Sequence, residues 1–357
     1  MSAALDSARA EAFGGKLIDT INRAGVALMI SIGHRVGLFD TMAKLPASTT
    51  AQIATATRLN ERYIREWLGA MVTGGIVDFD PEAKTYHLPA EHAAWLTRAA
   101  SPNNLAASMQ WVAVLGGVED QIVEAFRHGR GVPYSAYPRF HVVMAEESSQ
   151  SVVAGLTAYI LPLVSGLDAK LERGIDVLDI GCGSGQALIH LAERFPASRF
   201  VGYDASPEAI GAATADAEKR GLKNMRFVVQ DVAAMPDRSA FDLITAFDAI
   251  HDQAKPAAVL SNIANALRPG GTYLMQDISG SGHVHTDKSH LAGPFLYTVS
   301  CMHCMSVSLA MGGPGLGAMW GKEKALEMLA AAGFPSVRVE TLAHDPMNFW
   351  YIAERAA

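Results

Sequence analysis

The residues most able to do chemistry in this sequence are three glycines, four acids and one histidine. The string Val177–Gln186, VLDIGCGSGQ, runs an apolar strand into Gly181, Gly183 and Gly185 and then into a helix. Glycines there permit a tight turn and let a ligand approach the backbone closely. The dinucleotide fingerprint G-x-G-x-x-G ends here in Gln186, and the Lys-Ser/Thr pair of a phosphate loop is missing, so nicotinamide and phosphate-loop chemistry are disfavoured. Acids close the strands around the turn. Asp204 stands 23 residues past Gly181, a position from which a carboxylate accepts from both hydroxyls of a ribose. Asp231 is placed to accept from an adenine amino group with the Val232 backbone at the ring edge, and Asp179 to face an ammonium. Phe247–Asp252, FDAIHD, follows the fourth strand and supplies His251, whose ordinary pKa suits it to proton transfer near neutrality.

These residues need an alternating fold to hold them. Apolar runs at Ile175–Gly181, Arg199–Asp204, Met225–Asp231, Phe241–Phe247, Gly271–Ser279, Val337–Leu342 and Asn348–Glu354 predict seven strands, with helices between the first five. The fold class expected is α/β: a C-terminal, seven-stranded, mostly parallel Rossmann-like sheet over residues 173–357, preceded by an α-rich domain over 1–100 and a helical connection over 101–172. In that connection helices are expected at Glu119–His128, Pro138–Glu147 and Ser151–Leu171, the last interrupted by Pro162. The first domain opens on a long amphipathic helix through Leu17, Ile18, Ile21, Leu28, Met29 and Ile32. A helix over Thr49–Thr57, a turn, a second helix capped by Asn60 with a stripe of Ile64, Trp67, Leu68, Met71 and Val72, and a hairpin of Ile76–Phe79 with Thr85–Leu88 follow. Helix, turn, helix, hairpin outlines a winged helix. Residues 48–98 hold five basic and six acidic side chains, without the basic footprint of a DNA reader, so nucleic acid is not expected as a partner.

Composition narrows the setting. The 357 residues are 50% hydrophobic and 18% charged with net charge -7, which excludes disorder and a polyelectrolyte tail. Met1–Gly15 contains acids and lacks a signal-peptide core, and three cysteines make no disulfide framework, so a reducing cytoplasm is expected. The 33 residues from Ser289 to Gly321 carry no Asp, Glu, Lys or Arg, yet Pro294, Pro314 and five glycines after 311 argue against a membrane span. An apolar site wall, or a buried interface, fits better.

Three acids around a glycine turn suit a cationic nucleoside without phosphates, and S-adenosylmethionine joins a sulfonium, an ammonium and a ribose. The motifs DIGCGSG at 179–185, YDAS with Asp204, QDV with Asp231 and ALRPGG at 266–271 resemble the class I S-adenosylmethionine-dependent methyltransferases. With a winged-helix-like domain in front, the whole chain resembles the small-molecule O-methyltransferases of plants and actinobacteria, and a mycobacterial-type group of such enzymes. The resemblance implies S-adenosylmethionine held by Asp179, Gly181, Gly183, Gly185, Asp204, Asp231, Val232 and Phe247. It implies His251 as general base toward a substrate hydroxyl, Asp277 as the carboxylate orienting it, and a homodimer whose N-terminal domain helps close the substrate site. Phe140 and Met144 match a pocket-lining helix, and an insertion at 280–321 is expected to add Phe295, Met302, Met305, Met319 and Trp320 to the wall around a small, largely apolar, aromatic acceptor. A second acid of the family is missing, since none occurs between Asp287 and Glu323. S- or N-methylation by positioning alone is therefore the alternative, and a winged-helix ligand-responsive transcriptional regulator a further one. No metal is expected. Cys301 and Cys304 are two ligands where structural zinc takes four, and Asp248 with Asp277 lacks the third magnesium ligand because Ile278 follows.

Overall fold

A computed structural model describes residues 5–356. Met1–Ala4, the start of the stretch expected to lack a leader, and Ala357, the end of the last expected domain, lie outside the described residues. The chain divides into two compact units after Gly116. The expected connection over 101–172 is thereby shared out: helix Gln110–Gly116 goes with the first unit, while Val152, Leu156, Ile160, Leu161 and Leu171 join a core of the second. No described helix is long and apolar enough to cross a membrane.

In the first unit the entry helix spans Ser7–Arg35, started by Asp6, whose carboxylate accepts the Arg9 N–H at 3.1 Å. Its last turns bury Ile30, Gly33 and His34, and a Cβ on Gly33 would lie 2.5 Å from the Trp67 ring. Trp67 donates its indole N–H to the Met29 carbonyl at 2.8 Å and meets Phe39 edge-on, locking the entry helix to helix Glu61–Thr73. Helix Thr50–Thr57 carries a capping box of Thr49 and Gln52. Asn60 caps Glu61–Thr73 by accepting from the Arg62 and Tyr63 N–H groups, and the expected stripe buries Ile64, Trp67, Leu68 and Met71. Asn60→Ala is expected to cost about 1 kcal/mol, readable as a lowered urea midpoint with unchanged m-value.

The wing is shorter than expected: β1 is Asp78–Asp80 and β2 is Thr85–His87, antiparallel, with Ser48 bridging to Tyr86. Ile76 and Val77 were expected in the first strand, but both N–H groups bond the Met71 carbonyl at the helix end, so neither can pair across a sheet.

The second unit is built on a seven-stranded sheet: β3 Asp176–Ile180, β4 Arg199–Asp204, β5 Met225–Val229, β6 Phe241–Phe247, β7 Leu267–Ile278, β8 Val337–Leu342 and β9 Asp345–Glu354. The order is β5-β4-β3-β6-β7-β9-β8, parallel except for β9, which runs antiparallel to both neighbours. Period-two alternation fills both faces. Leu178 and Ile180 pack with Ile244, Leu260, Ile263, Tyr273 and Phe334, whereas Val177 packs with Phe200, Leu243, Leu274 and Trp350 on the opposite side. At the amino end, Arg268 reaches both Asp176 at 2.8 Å and Asp242 at 2.5 Å, and Arg199 adds a second pair to Asp176 at 2.6 Å.

Several boundaries differ from expectation, among them the last strand, which starts at Asp345 rather than Asn348. The helix expected between β5 and β6 is a 3-10 turn, Val232–Ala234, because Asp231 caps it and Met235 returns to extended backbone. The fifth strand starts at Leu267 rather than Gly271, pairing with Phe241 before an irregular step at 268–271. Helix Phe140–Ser148 begins two residues late because Arg139 holds φ +59°. The expected helix over 151–171 is instead a chain of π turns at Ser149–Val153 and Leu156–Ile160, a 3-10 turn at Leu161–Leu163 and a helix at Leu167–Arg173. Pro162 breaks it as foreseen. Gly155 breaks it earlier, where a Cβ would come within 2.3 Å of His344.

Candidate functional site

All the singled-out acids stand at or just beyond the carboxyl ends of parallel strands, the side on which open α/β sheets bind ligands. After β3 the glycines turn left-handed, Gly181 at φ +66°, Gly183 at +52° and Gly185 at +72°. A Cβ would lie 2.6 Å from the Ala249 Cβ at Gly181 and 2.3 Å from the Phe227 ring at Gly185, so close packing as well as φ demands glycine. At Gly183 a Cβ would meet nothing within 4 Å, which leaves backbone open to a ligand. Asp204 holds the turn: its carboxylate accepts the Gly183 N–H at 2.9 Å and the Ser206 N–H at 2.8 Å. Asp231 accepts the Ala233 N–H at 2.9 Å with Val232 buried beside it. Phe247 ends β6 against Trp350.

Asp179 is 3% exposed and accepts the Thr245 hydroxyl at 2.6 Å. Burial pushes its carboxyl up to about 7; the Thr245 bond pulls the other way and the nearby Asp204 adds to the rise. A carboxylate so short of a cation fits the ammonium of S-adenosylmethionine, as the accessible Gly183 backbone fits its approach.

Beyond β6 the chain turns through Asp248 at φ +55° and brings in His251. The His251 ring is 2% exposed, and its Nδ1 lies 2.8 Å from Asp277 Oδ1, at the end of β7. Asp277 is fully buried, and the same oxygen accepts the Trp320 indole N–H at 3.0 Å and the Ile278 N–H at 2.9 Å. Burial opposes charge on His251, but the Asp277 carboxylate outweighs it and, with the Cys304 thiol also favouring the charged ring, holds the imidazole well above its ordinary range. Asp248 Oδ1 flanks the ring at 3.7 Å from Nδ1, the nitrogen that also faces Asp277. Burial raises Asp248 to about 7, against the pull of His251.

An aromatic group built on Tyr134, Tyr137, Phe140 and His303 reaches this cluster through Asp252, and little in the sequence announces it. Tyr134 donates its hydroxyl to Asp252 Oδ2. Burial lifts Asp252 to about 6 while His251 and Tyr134 pull it down. His303 stacks on Phe140 with centroids 4.4 Å apart and meets Tyr134 and Tyr137 edge-on. Burial, with His251 and His141 nearby, drives His303 down to about 3, so it is neutral. The segment around Tyr134 is tied to the charge-free stretch by the Val132 N–H on Ser306 Oγ at 2.9 Å and the Tyr137 hydroxyl on the Met302 carbonyl at 2.5 Å. The one available signal was the spacing of Tyr134, Tyr137 and Phe140 after Pro133.

The charge-free stretch folds into helix Gly293–Val299, a π turn Ser300–Cys304 and helix Met305–Ala310. Phe295 and Met319 pack in one cluster with Ile278, Leu296 and Cys304; Met302 and Met305 are half-buried. Trp320 is occupied by Asp277 and packs in the sheet core. Met144 is half-buried on the helix that carries Phe140.

The order of strands, the glycine turn and the acids at strand ends define a class I methyltransferase-type domain behind a winged helix. Two family models agree: residues 24–98 match the Rv2258c-like winged HTH domain and residues 171–333 a methyltransferase domain. The chain thus carries the architecture of a class I S-adenosylmethionine-dependent methyltransferase with an N-terminal winged helix. An uncharacterized methyltransferase of Synechocystis sp. is 28% identical over 145 residues, 40% of this chain and 64% of that protein. The demethylmenaquinone methyltransferase of Thermus thermophilus is 34% identical over 107 residues, 29% of this chain and 48% of that one. The chain spans less than two thirds of the length of these curated relatives. Human N-acetylserotonin methyltransferase, solved with S-adenosylmethionine, superposes over 100% of both chains with TM-score 0.68 and 16% identity. An O-methyltransferase family protein of Burkholderia thailandensis superposes over 99% of both with TM-score 0.69 and 15% identity, a likeness of fold.

Proposed function

We propose that this chain transfers a methyl group from S-adenosylmethionine to a hydroxyl of a small, largely apolar, aromatic acceptor. The observation that carries the reading is the buried His251–Asp277 pair, 2.8 Å apart, beside a cofactor-shaped turn. Asp179, Asp204, Asp231, Val232, Phe247 and the three glycines hold the cofactor, which supplies an electrophilic methyl on a sulfonium. Asp277, fixed by Trp320, grips Nδ1 and orients the ring so that the other nitrogen, once the charged imidazole has given up its own proton, can take the hydroxyl proton. Phe140 with Tyr134, Tyr137 and the neutral His303 offers the acceptor ring flat and edge faces. Phe295, Met302, Met305, Met319 and Met144 add adaptable apolar wall, in a reducing cytoplasm where Cys301 and Cys304 stay thiols. The test supplies labelled S-adenosylmethionine with matched phenol, thiophenol and aniline acceptors. Label on the phenol supports the reading; label confined to sulfur or nitrogen replaces it with transfer by positioning, and binding without transfer to any of them removes it.

The acting form is a homodimer joined through the entry helix. Phe13, Leu17, Ile18, Ile21 and Leu28 are exposed along that helix, Ile21 at 71%, a larger apolar ridge than a monomer's surface usually carries. Ile18→Glu with Ile21→Glu is expected to halve the mass measured by light scattering while the fold persists. An unchanged mass rules this surface out.

A further inference from the structure

One cluster in the second unit has more acceptors than donors. Asp277, wholly buried, spends Oδ1 on three hydrogen bonds, while its Oδ2 is buried with no hydrogen-bond partner among the described residues. Asp248 Oδ1 is likewise buried without one. One ligating atom from each of Asp248, His251 and Asp277 falls within 4.8 Å of the other two. Asp252, the next acid, is already engaged by the Tyr134 hydroxyl, so it does not compete for the space. The left-handed backbone at Asp248, φ +55°, is uncommon for a residue with a Cβ and turns this carboxylate toward the ring.

We propose that Asp248, His251 and Asp277 form a site for one divalent first-row transition ion. One buried and one half-buried carboxylate with a buried imidazole are a mixed oxygen and nitrogen set that suits Zn²⁺ or Co²⁺. Mg²⁺ is the poorer fit, because it prefers oxygen ligands throughout and Ile278 offers none where a third would sit. Sequence spacing pairs only the two acids; the fold supplies the histidine as the third ligand. An ion on Nδ1 takes the place of the Asp277 hydrogen bond and fixes the remaining ring proton on Nε2. The ion and the base described above therefore use the same imidazole in mutually exclusive ways, and a bound ion inhibits methyl transfer.

The test titrates chelator-stripped full-length protein with Co²⁺ and with Zn²⁺, following heat and the visible spectrum. The expected result is one ion per chain, Co²⁺ bands without thiolate charge transfer, and no displacement by millimolar Mg²⁺. Asp248→Asn is expected to weaken binding by more than about tenfold, while Cys301→Ser with Cys304→Ser retains it. Since no variant is needed for stoichiometry and spectrum, a misfolded Asp248→Asn leaves those two readouts decisive. Absence of stoichiometric binding to the natural sequence, a thiolate band, or undiminished binding to folded Asp248→Asn overturns the proposal.

Discussion

His251→Ala is expected to lower kcat toward an aromatic hydroxyl by about 10²–10⁴-fold, the usual worth of a positioned base. S-adenosylmethionine affinity, read by calorimetry, is expected to stay as it was, since the ring is held by Asp277 rather than by the glycine turn. Asp277→Asn separates orientation from basicity. It keeps the shape at the end of β7 and the space beside Trp320, but an amide can turn its N–H toward Nδ1 and reverse the tautomer. The loss in kcat is then expected to approach that of His251→Ala, with KM little changed. Full activity in His251→Ala removes the base from the mechanism and leaves transfer by positioning.

The second large effect is on cofactor affinity. Asp179 is pushed up to about 7 in the folded protein because burial has stripped its water and Asp204 adds to the rise, against the pull of the Thr245 bond. Its folded value lies above its unfolded one, so the unliganded fold binds a proton and loses stability as pH rises from about 4 toward 7. An ammonium ligand needs the carboxylate, and binding below 7 must first expel that proton. S-adenosylmethionine is therefore expected to bind about tenfold more weakly at pH 6 than at pH 8, with proton release on the acid side. Asp179→Asn flattens this dependence at the weak end. A flat profile in the natural sequence, measured in two buffers of different ionisation heat, would place the ammonium elsewhere.

Much of this site can be read locally. The glycine turn, the acids closing β3, β4 and β7, and the His251 string are each set by a few neighbouring residues, and the seven strands announce themselves by apolar runs. What stayed hidden depends on distance along the chain. Tyr134 meets Asp252 across 118 residues, and Trp320 reaches Asp277 across 43, contacts that no local pattern encodes. Trp320 looked like apolar wall, yet its indole N–H holds the buried acid. The acid absent before the last helix leaves Asp248, three residues before His251 on the same turn, as the second carboxylate near the ring. Pro162 announced one break in the 151–171 segment, but the break at Gly155 comes from His344, almost 190 residues on, which must pass where a side chain would stand.

The sheet keeps its two ends for different work. At the amino end Arg268 gathers Asp176 and Asp242, and Arg199 joins them, so strands β3, β4, β6 and β7 are pinned by surface charge pairs far from any ligand. At the carboxyl end the helices of the charge-free stretch and the Tyr134 segment, the proposed acceptor wall, lie outside the strand ladder. On the proposed reading mutational load is partitioned: changes in the wall are expected to alter what is accepted without loosening the pins. A scaffold divided in this way lets a lineage drift in substrate while its fold is inherited intact, which is how one architecture can recur among chains that share about 16% of their residues.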